Sequence, residues 1–326
     1  MKHRTFGRLG WQVSEIGFGA WALGGSWGPQ DDAESVAALH QALDLGCNFI
    51  DTALAYGHGR SERVIARVLG ERSDVDRVYV ATKIPPAPGA WPPGPRDLIT
   101  ERFPAAYLRA KVEESLRNLQ TDCLDLLQLH TWTRAWNREP SALETLRELQ
   151  LEGKILGIGI STPEPDQNAL NDLMRDGWLD AVQVIYNIFE QDPAAELLPL
   201  AAEHKVGVIV RVALDEGSLT GKFTAGTHFI GDDFRQRYFA GDRLARTVAR
   251  VEKIRAVVGD HEPDLATAAL KFALKPAAVS TVIAGMRNPE QARRNCAVGD
   301  LPPISDNLEQ ALFAHQWRRG QWYDGK

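Results

Sequence analysis

The feature that most constrains this chain is an alternation that repeats eight times without a linker. Short apolar, β-branched runs recur at EIGFGAWAL near 15–23, FID near 49, VYVATK at 78–83 and LDLLQLH at 124–130. ILGIGI at 155–160, AVQVIY at 181–186, VGVIVRV at 206–212 and VSTVIAG at 279–285 continue the series. Runs this continuously apolar suit strands covered on both faces. Between them lie stretches such as AESVAALHQALDLG, YLRAKVEESLRNL and PSALETLRELQLEGK, whose apolar residues fall three and four apart, as on one face of a helix. Eight strand–helix units predict a closed (β/α)8 TIM barrel, and their number favours it over an open doubly wound sheet. At 326 residues the chain has the length of one such barrel, so residues 1–326 are expected to form a single domain.

Three additions decorate that barrel. HRTFGRLGWQVS at 3–14 reads as a β-hairpin able to plug the floor. Residues 84–103, beginning just before PPAPGAWPPGP, are too proline-rich for a helix and predict a long loop. Residues 214–240 predict a second one. Both long loops leave the C-terminal ends of strands, the face where such barrels carry their chemistry.

Composition narrows the partners. A net charge of −6 gives no general reason to expect nucleic acid or an anionic membrane. Three cysteines, Cys47, Cys123 and Cys296, match neither a disulfide framework nor a metal spacing. No apolar signal segment or run of 18 apolar residues is present, so a cytoplasmic location is expected, as a monomer or small homo-oligomer. A metal-dependent barrel hydrolase would want clustered His and carboxylate ligands, such as HxH on the first strand. That pattern is missing, and no metal is expected.

The informative polar residues stand where strands end. Asp51 closes the second run, Lys83 the third and His130 the fourth, with Tyr56 in the loop after Asp51. One such residue reads most simply as a loop cap or an ion pair. Three on consecutive strands, about 5 Å apart in a closed sheet, converge. A free phenol titrates near ~10 and exchanges protons poorly at neutral pH. An ammonium beside it favours the phenolate, a carboxylate keeps that ammonium charged and aimed, and a histidine can position a substrate oxygen. The group suits protonation of an oxygen on which negative charge develops.

DTALAYGHGRSE, ATK, LLQLH, GIGIST and the late GMRNPEQARRN, in that order and across nearly the whole chain, resemble the aldo-keto reductase superfamily. The resemblance implies an Asp51, Tyr56, Lys83 and His130 tetrad on a barrel that binds NADPH extended, without a Rossmann domain. Tyr56 is then the general acid, with Lys83 and Asp51 lowering its pKa and His130 orienting the carbonyl. The implied activity is NADPH-dependent reduction of an aldehyde or ketone to an alcohol. A nicotinamide-binding, redox-sensing regulatory subunit with slow turnover is the alternative within the same superfamily.

The resemblance also implies the cofactor's contacts. Gly19, Ala20 and Trp21 lie near the nicotinamide, and Ser161 and Gln183 hold its carboxamide. Thr162 stands where the family has asparagine, and on residues alone Ser161 and Thr162 serve equally as a helix cap before PEPDQNAL. Arg211 occupies the stacking position on the seventh strand, where a planar guanidinium can cover a ring. The segment with Leu214, Gly217, Ser218, Leu219, Gly221 and Lys222 closes over the pyrophosphate. Gly285, Met286, Arg287, Gln291 and Asn295 hold the adenosine end, Arg287 on a 2′-phosphate, with Arg293 left to solvent. Trp21, Trp91, Trp132 and Trp136, with Tyr56 and His130, are expected to wall an apolar substrate pocket suited to an aryl or medium-chain carbonyl.

Overall fold

The computed structural model describes residues 1–317. Eight parallel strands close into a barrel: β3 (Ile16–Gly19), β4 (Phe49–Asp51), β5 (Tyr79–Ile84), β6 (Leu124–Leu129), β7 (Ile155–Ser161), β8 (Ala181–Ile185), β9 (Gly207–Arg211) and β10 (Thr281–Gly285). They neighbour one another in chain order, and β10 pairs with β3 to complete the ring. Before them come β1 (His3–Phe6) and β2 (Trp11–Ser14), an antiparallel hairpin.

Helices fill the intervals as their apolar spacing predicts, at Asp32–Asp44, Ala105–Leu119 and Ser141–Leu151 among others. The first begins at Asp31, whose carboxylate accepts from Ala33 N and Glu34 N and so satisfies two otherwise free donors. Its buried stripe includes Ala38, Leu39, Ala42 and Leu43, at the helical spacing.

The hairpin does plug the floor. Phe6 and Val13 enter the apolar cluster formed by Phe49, Ala81, Leu126, Ala181 and Ile209, and Phe6 stacks on Phe49 at 5.5 Å. Two strands accommodate it by lacking side chains where it presses. A Cβ on Gly207 would lie 2.6 Å from the Phe6 ring, and one on Gly157 would lie 2.8 Å from Leu9 Cδ1.

Three segments differ from the sequence expectation. The first barrel strand is shorter than its apolar run, because the chain turns at Ala20 and Trp21–Gly24 forms a 3-10 helix. Residues 84–103 are mostly irregular, but Ile99–Arg102, beyond the prolines, form a turn of helix. Residues 214–240 carry the 3-10 segment Asp215–Thr220 and the short helix Arg235–Tyr238.

Candidate active site

Three neighbouring strands bring the strand-end residues together. Asp51 ends β4, Lys83 is the penultimate residue of β5 and His130 follows β6. Lys83 Nζ is buried and spends its three donors on Asp51 Oδ2 at 2.7 Å, Thr52 O at 2.7 Å and Tyr56 Oη at 3.3 Å. Asp51 Oδ1 accepts from Gln183 Nε2 at 2.7 Å and from Gln128 Nε2 at 3.3 Å. Tyr56 sits on a turn carried by left-handed backbone at Gly57, His58 and Gly59. The preceding loop lies directly on it, since a Cβ on Gly24 would come within 2.7 Å of the Tyr56 carbonyl carbon. The His130 ring stands edge-on to Tyr56 at 5.6 Å and to Trp91 at the same distance.

The electrostatics correct one expectation. Burial pushes the Tyr56 phenol up, the Lys83 charge pulls it down, and the Asp51 carboxylate, repelling a phenolate, pushes it up again; the net shift is upward. Asp51 therefore favours the phenolate only by way of Lys83. Burial opposes the ammonium of Lys83, but Asp51 and then Tyr56 outweigh it and raise its pKa. Burial likewise raises Asp51 against the pull of Lys83. His130 is held well below the usual imidazole value by burial and by the Lys83 and Arg211 charges, so it is neutral at physiological pH.

Above this group opens a cavity of about 1120 Å³ that runs from Tyr56, His130 and Trp91 to Arg287, Gln291 and Asn295. Gly19, Trp21, Asp51, Ser161, Gln183, Arg211, Leu214, Gly217, Lys222 and Gly285 also line it. Ala20, Ser218, Leu219 and Met286 are buried behind the wall instead; the Ser218 hydroxyl is turned onto the Asp215 carboxylate. Thr162 does not cap a helix: its hydroxyl bonds Gln167 Oε1 at 2.6 Å and Gln183 O at 3.1 Å. Arg211 donates from Nη2 to Thr162 O, while its buried Nε has no partner among the described residues. Arg287 is pinned by Gln30 Oε1 and Pro29 O, Arg294 pairs with Asp264, and Arg293, off the wall, bonds Gln41.

Two of the expected tryptophan walls are elsewhere. Trp132 and Trp136 pack edge-on to each other in the core, with their indole N–H groups on Asn137 Oδ1 and Asp97 O. The Tyr56 end of the cavity is walled instead by Trp21, Trp91 and two residues the sequence reading missed, Trp27 and Phe234. Phe234 lies 4.7 Å from the Trp21 ring, and Arg235 lies over Trp27 at 4.4 Å. Gln128 was also missed.

Among the described residues there is no helix long and apolar enough to cross a membrane and no group of residues able to hold a metal ion. The model of the aldo/keto reductase family matches residues 15–312. Aldo-keto reductase YhdN of Bacillus subtilis is 34% identical over 236 residues, covering 72% of this chain and 69% of that protein. The NADH-specific methylglyoxal reductase of Escherichia coli is 28% identical, covering 91% and 93%. An aldo-keto reductase from Bacillus halodurans, solved in its holo form, superposes with a TM-score of 0.76 at 26% identity, covering 98% of this chain and 97% of that one. With a closed barrel, a family match over most of its length and relatives of this identity, the chain belongs to the aldo/keto reductase family of oxidoreductases, which use nicotinamide cofactors.

Proposed function

We propose that this chain reduces the carbonyl of an aldehyde or ketone to an alcohol with NADPH, and that Tyr56 delivers the proton. The observation that carries the reading is the contact of Tyr56 Oη with Lys83 Nζ at 3.3 Å, on a lysine that Asp51 holds at 2.7 Å. When bound, the nicotinamide supplies the hydride. Tyr56 keeps its proton until negative charge builds on the carbonyl oxygen, because burial holds its pKa up. It then passes the proton to that oxygen, and Lys83 stabilises the phenolate left behind. The C=O π bond is replaced by one C–H and one O–H bond. Neutral His130 lies on the same wall and donates a hydrogen bond to the carbonyl oxygen, which fixes its approach.

The residues suit an extended dinucleotide. The cavity has room for one, and Arg211 lines it, its buried Nε without a partner among the described residues. Six cationic side chains line this cavity, Arg211, Lys222, Arg235, Arg237, Arg287 and Arg294, beside five carboxylates, and Arg235 and Arg294 are paired with Asp233 and Asp264. Arg287, at the head of the helix Pro289–Ala297, is the 2′-phosphate ligand in this reading, and it is the reason for naming NADPH although one relative is NADH-specific. The apolar end, with Trp21, Trp27, Trp91 and Phe234, suits an aryl or medium-chain carbonyl. Three free cysteines accord with a reducing, cytoplasmic compartment.

The test joins turnover to binding. Tryptophan fluorescence of the wild type is expected to be quenched by NADPH at lower concentration than by NADH. Tyr56→Phe is expected to bind NADPH as the wild type does while its kcat with an aryl aldehyde falls about 10²–10⁴-fold. A Tyr56→Phe enzyme with most of its turnover intact removes the proton donor from this account.

A further inference from the structure

We propose that Gln128 is a positioning residue that keeps the Asp51 carboxylate on Lys83, and through Lys83 keeps the ammonium on the oxygen of Tyr56. The inference rests on the reading of Tyr56 as the proton donor. Gln128 lies on β6 in register with Lys83 on β5, two residues before His130, so the alternation of the strand puts both Gln128 and His130 on the inner face. It is fully buried, and it is not on the cavity wall. Its Nε2 donates to Asp51 Oδ1 at 3.3 Å. Its Oε1 is buried with no partner among the described residues. The opposite amide orientation would face an acceptor oxygen onto a carboxylate oxygen, so the observed one is the only sensible choice.

A half-satisfied buried amide is a poor choice for packing, since an apolar side chain of the same shape would leave no orphan acceptor. The reason for a glutamine here lies in its one bond. Asp51 Oδ1 has one other donor, Gln183 Nε2, and Gln183 lines the cavity. A ligand amide at that wall competes for Gln183. Gln128, sealed away from the cavity, is the donor no ligand can draw off. With it gone, each departure of Gln183 leaves Oδ1 bare inside the protein, and a bare buried carboxylate takes up a proton more readily. Once protonated, Asp51 no longer anchors Lys83 as an ion pair.

The charged and titratable groups around Asp51 are Lys83 from β5, Tyr56 from the turn after β4, His130 after β6 and Arg211 on β9. Of these, His130 and Asp51 itself accept protons as pH falls. Gln128 bonds Asp51 alone, so its loss moves the Asp51 limb of a pH profile and leaves the other groups as they were.

Gln128→Met keeps the volume and removes the donor. In the full-length enzyme, with NADPH and an aryl aldehyde that the wild type turns over, kcat is measured across the acid range and urea unfolding is followed in parallel. The expected result is stability equal to or above wild type, an unchanged KM for NADPH, and an acid limb of kcat displaced upward by roughly half to one pH unit. Gln128→Glu, which sets a second carboxyl beside Asp51, is expected to displace it further. An acid limb that stays at the wild-type position in Gln128→Met overturns the proposal. So does a loss of stability with kcat reduced by the same factor at every pH, which is what a purely structural role gives. If Gln128→Met does not fold, an unmoved limb in Gln128→Glu overturns it alone. A wild type that turns over no carbonyl removes the functional reading and this inference together.

Discussion

The floor and the mouth of the barrel are built from the same strands, two residues apart. Phe49, Ala81, Leu126, Ala181 and Ile209 pack into one apolar cluster with Phe6 and Val13 of the hairpin. Two positions further along each strand stand Asp51, Lys83, Gln128, Gln183 and Arg211. Side chains two apart on a strand share a face, so these are successive layers of a single interior. The lower layer is held by burial alone, worth about 1.5–3 kcal/mol for each large side chain. The upper one holds charges and amides out of water, which is tolerable because Lys83 and Asp51 are paired with each other, while Arg211 is held by Thr162 O. The difference teaches where rigidity and reactivity are divided. A packed, charge-free layer fixes the strands, and the next layer uses that fixity to hold an ion pair against a phenol.

The sharpest break of this division is Lys83→Met. It strands Asp51 as an unpaired buried carboxylate, so stability should fall by about 3–5 kcal/mol. Because Tyr56 loses the Lys83 ammonium, kcat should fall about 10²–10⁴-fold as well. Urea unfolding with steady-state kinetics reads both, and wild-type turnover in this variant would reduce the upper layer to a polar piece of core. Gly207→Ala strikes the lower layer instead. Its Cβ would meet the Phe6 ring at 2.6 Å, so the hairpin must shift. Overpacking of this kind costs about 1–3 kcal/mol. Turnover per folded molecule should stay within about twofold of wild type, as befits independent sites. A large loss of kcat would mean that the two layers are coupled.

The sequence made the upper layer visible to different degrees, and the reasons are physical. Asp51, Lys83 and His130 end apolar runs, and a charge at such a place stands out against its neighbours. Gln128 sits inside a run and looks like a stray polar residue. The usable signal was its spacing of two from His130, which assigns it to the inner face. Trp132 and Trp136 follow the right strand, yet no pattern in a loop fixes side-chain direction; bonds to Asn137 and Asp97 turn them inward. Trp27 and Phe234 escape for the opposite reason. They meet only because Phe234 N reaches Ser26 O across the mouth, a pairing between distant loops that no local spacing encodes. The hairpin was legible as a plug because its glycines and short runs have few other uses. The glycines that receive it, Gly157 and Gly207, read only as ordinary residues of their strands.

The smallest effect expected is a difference in acid sensitivity, and it sharpens the same comparison. The buried floor cluster is made of aliphatic and phenylalanine side chains alone, whereas the mouth holds Asp51 and His130. There His130 is held neutral by burial and by the charges of Lys83 and Arg211, with its folded pKa well below the unfolded value of 6.5. Above that value neither state carries the proton, and the stabilising contribution of the neutral ring is fully present. As pH falls through it, the unfolded chain binds a proton that the folded chain refuses, and stability is lost until the folded pKa is reached. His130→Gln removes that titration and leaves every other group in place. Urea midpoints for the two proteins should therefore run parallel above about pH 7 and draw together or cross below it, with the variant losing less. Parallel curves through the whole acid range would mean that His130 takes its proton in the folded state as easily as in the unfolded one. The mouth would then be wetter than the floor, and the ion pair within it would stand on hydration as much as on its partners.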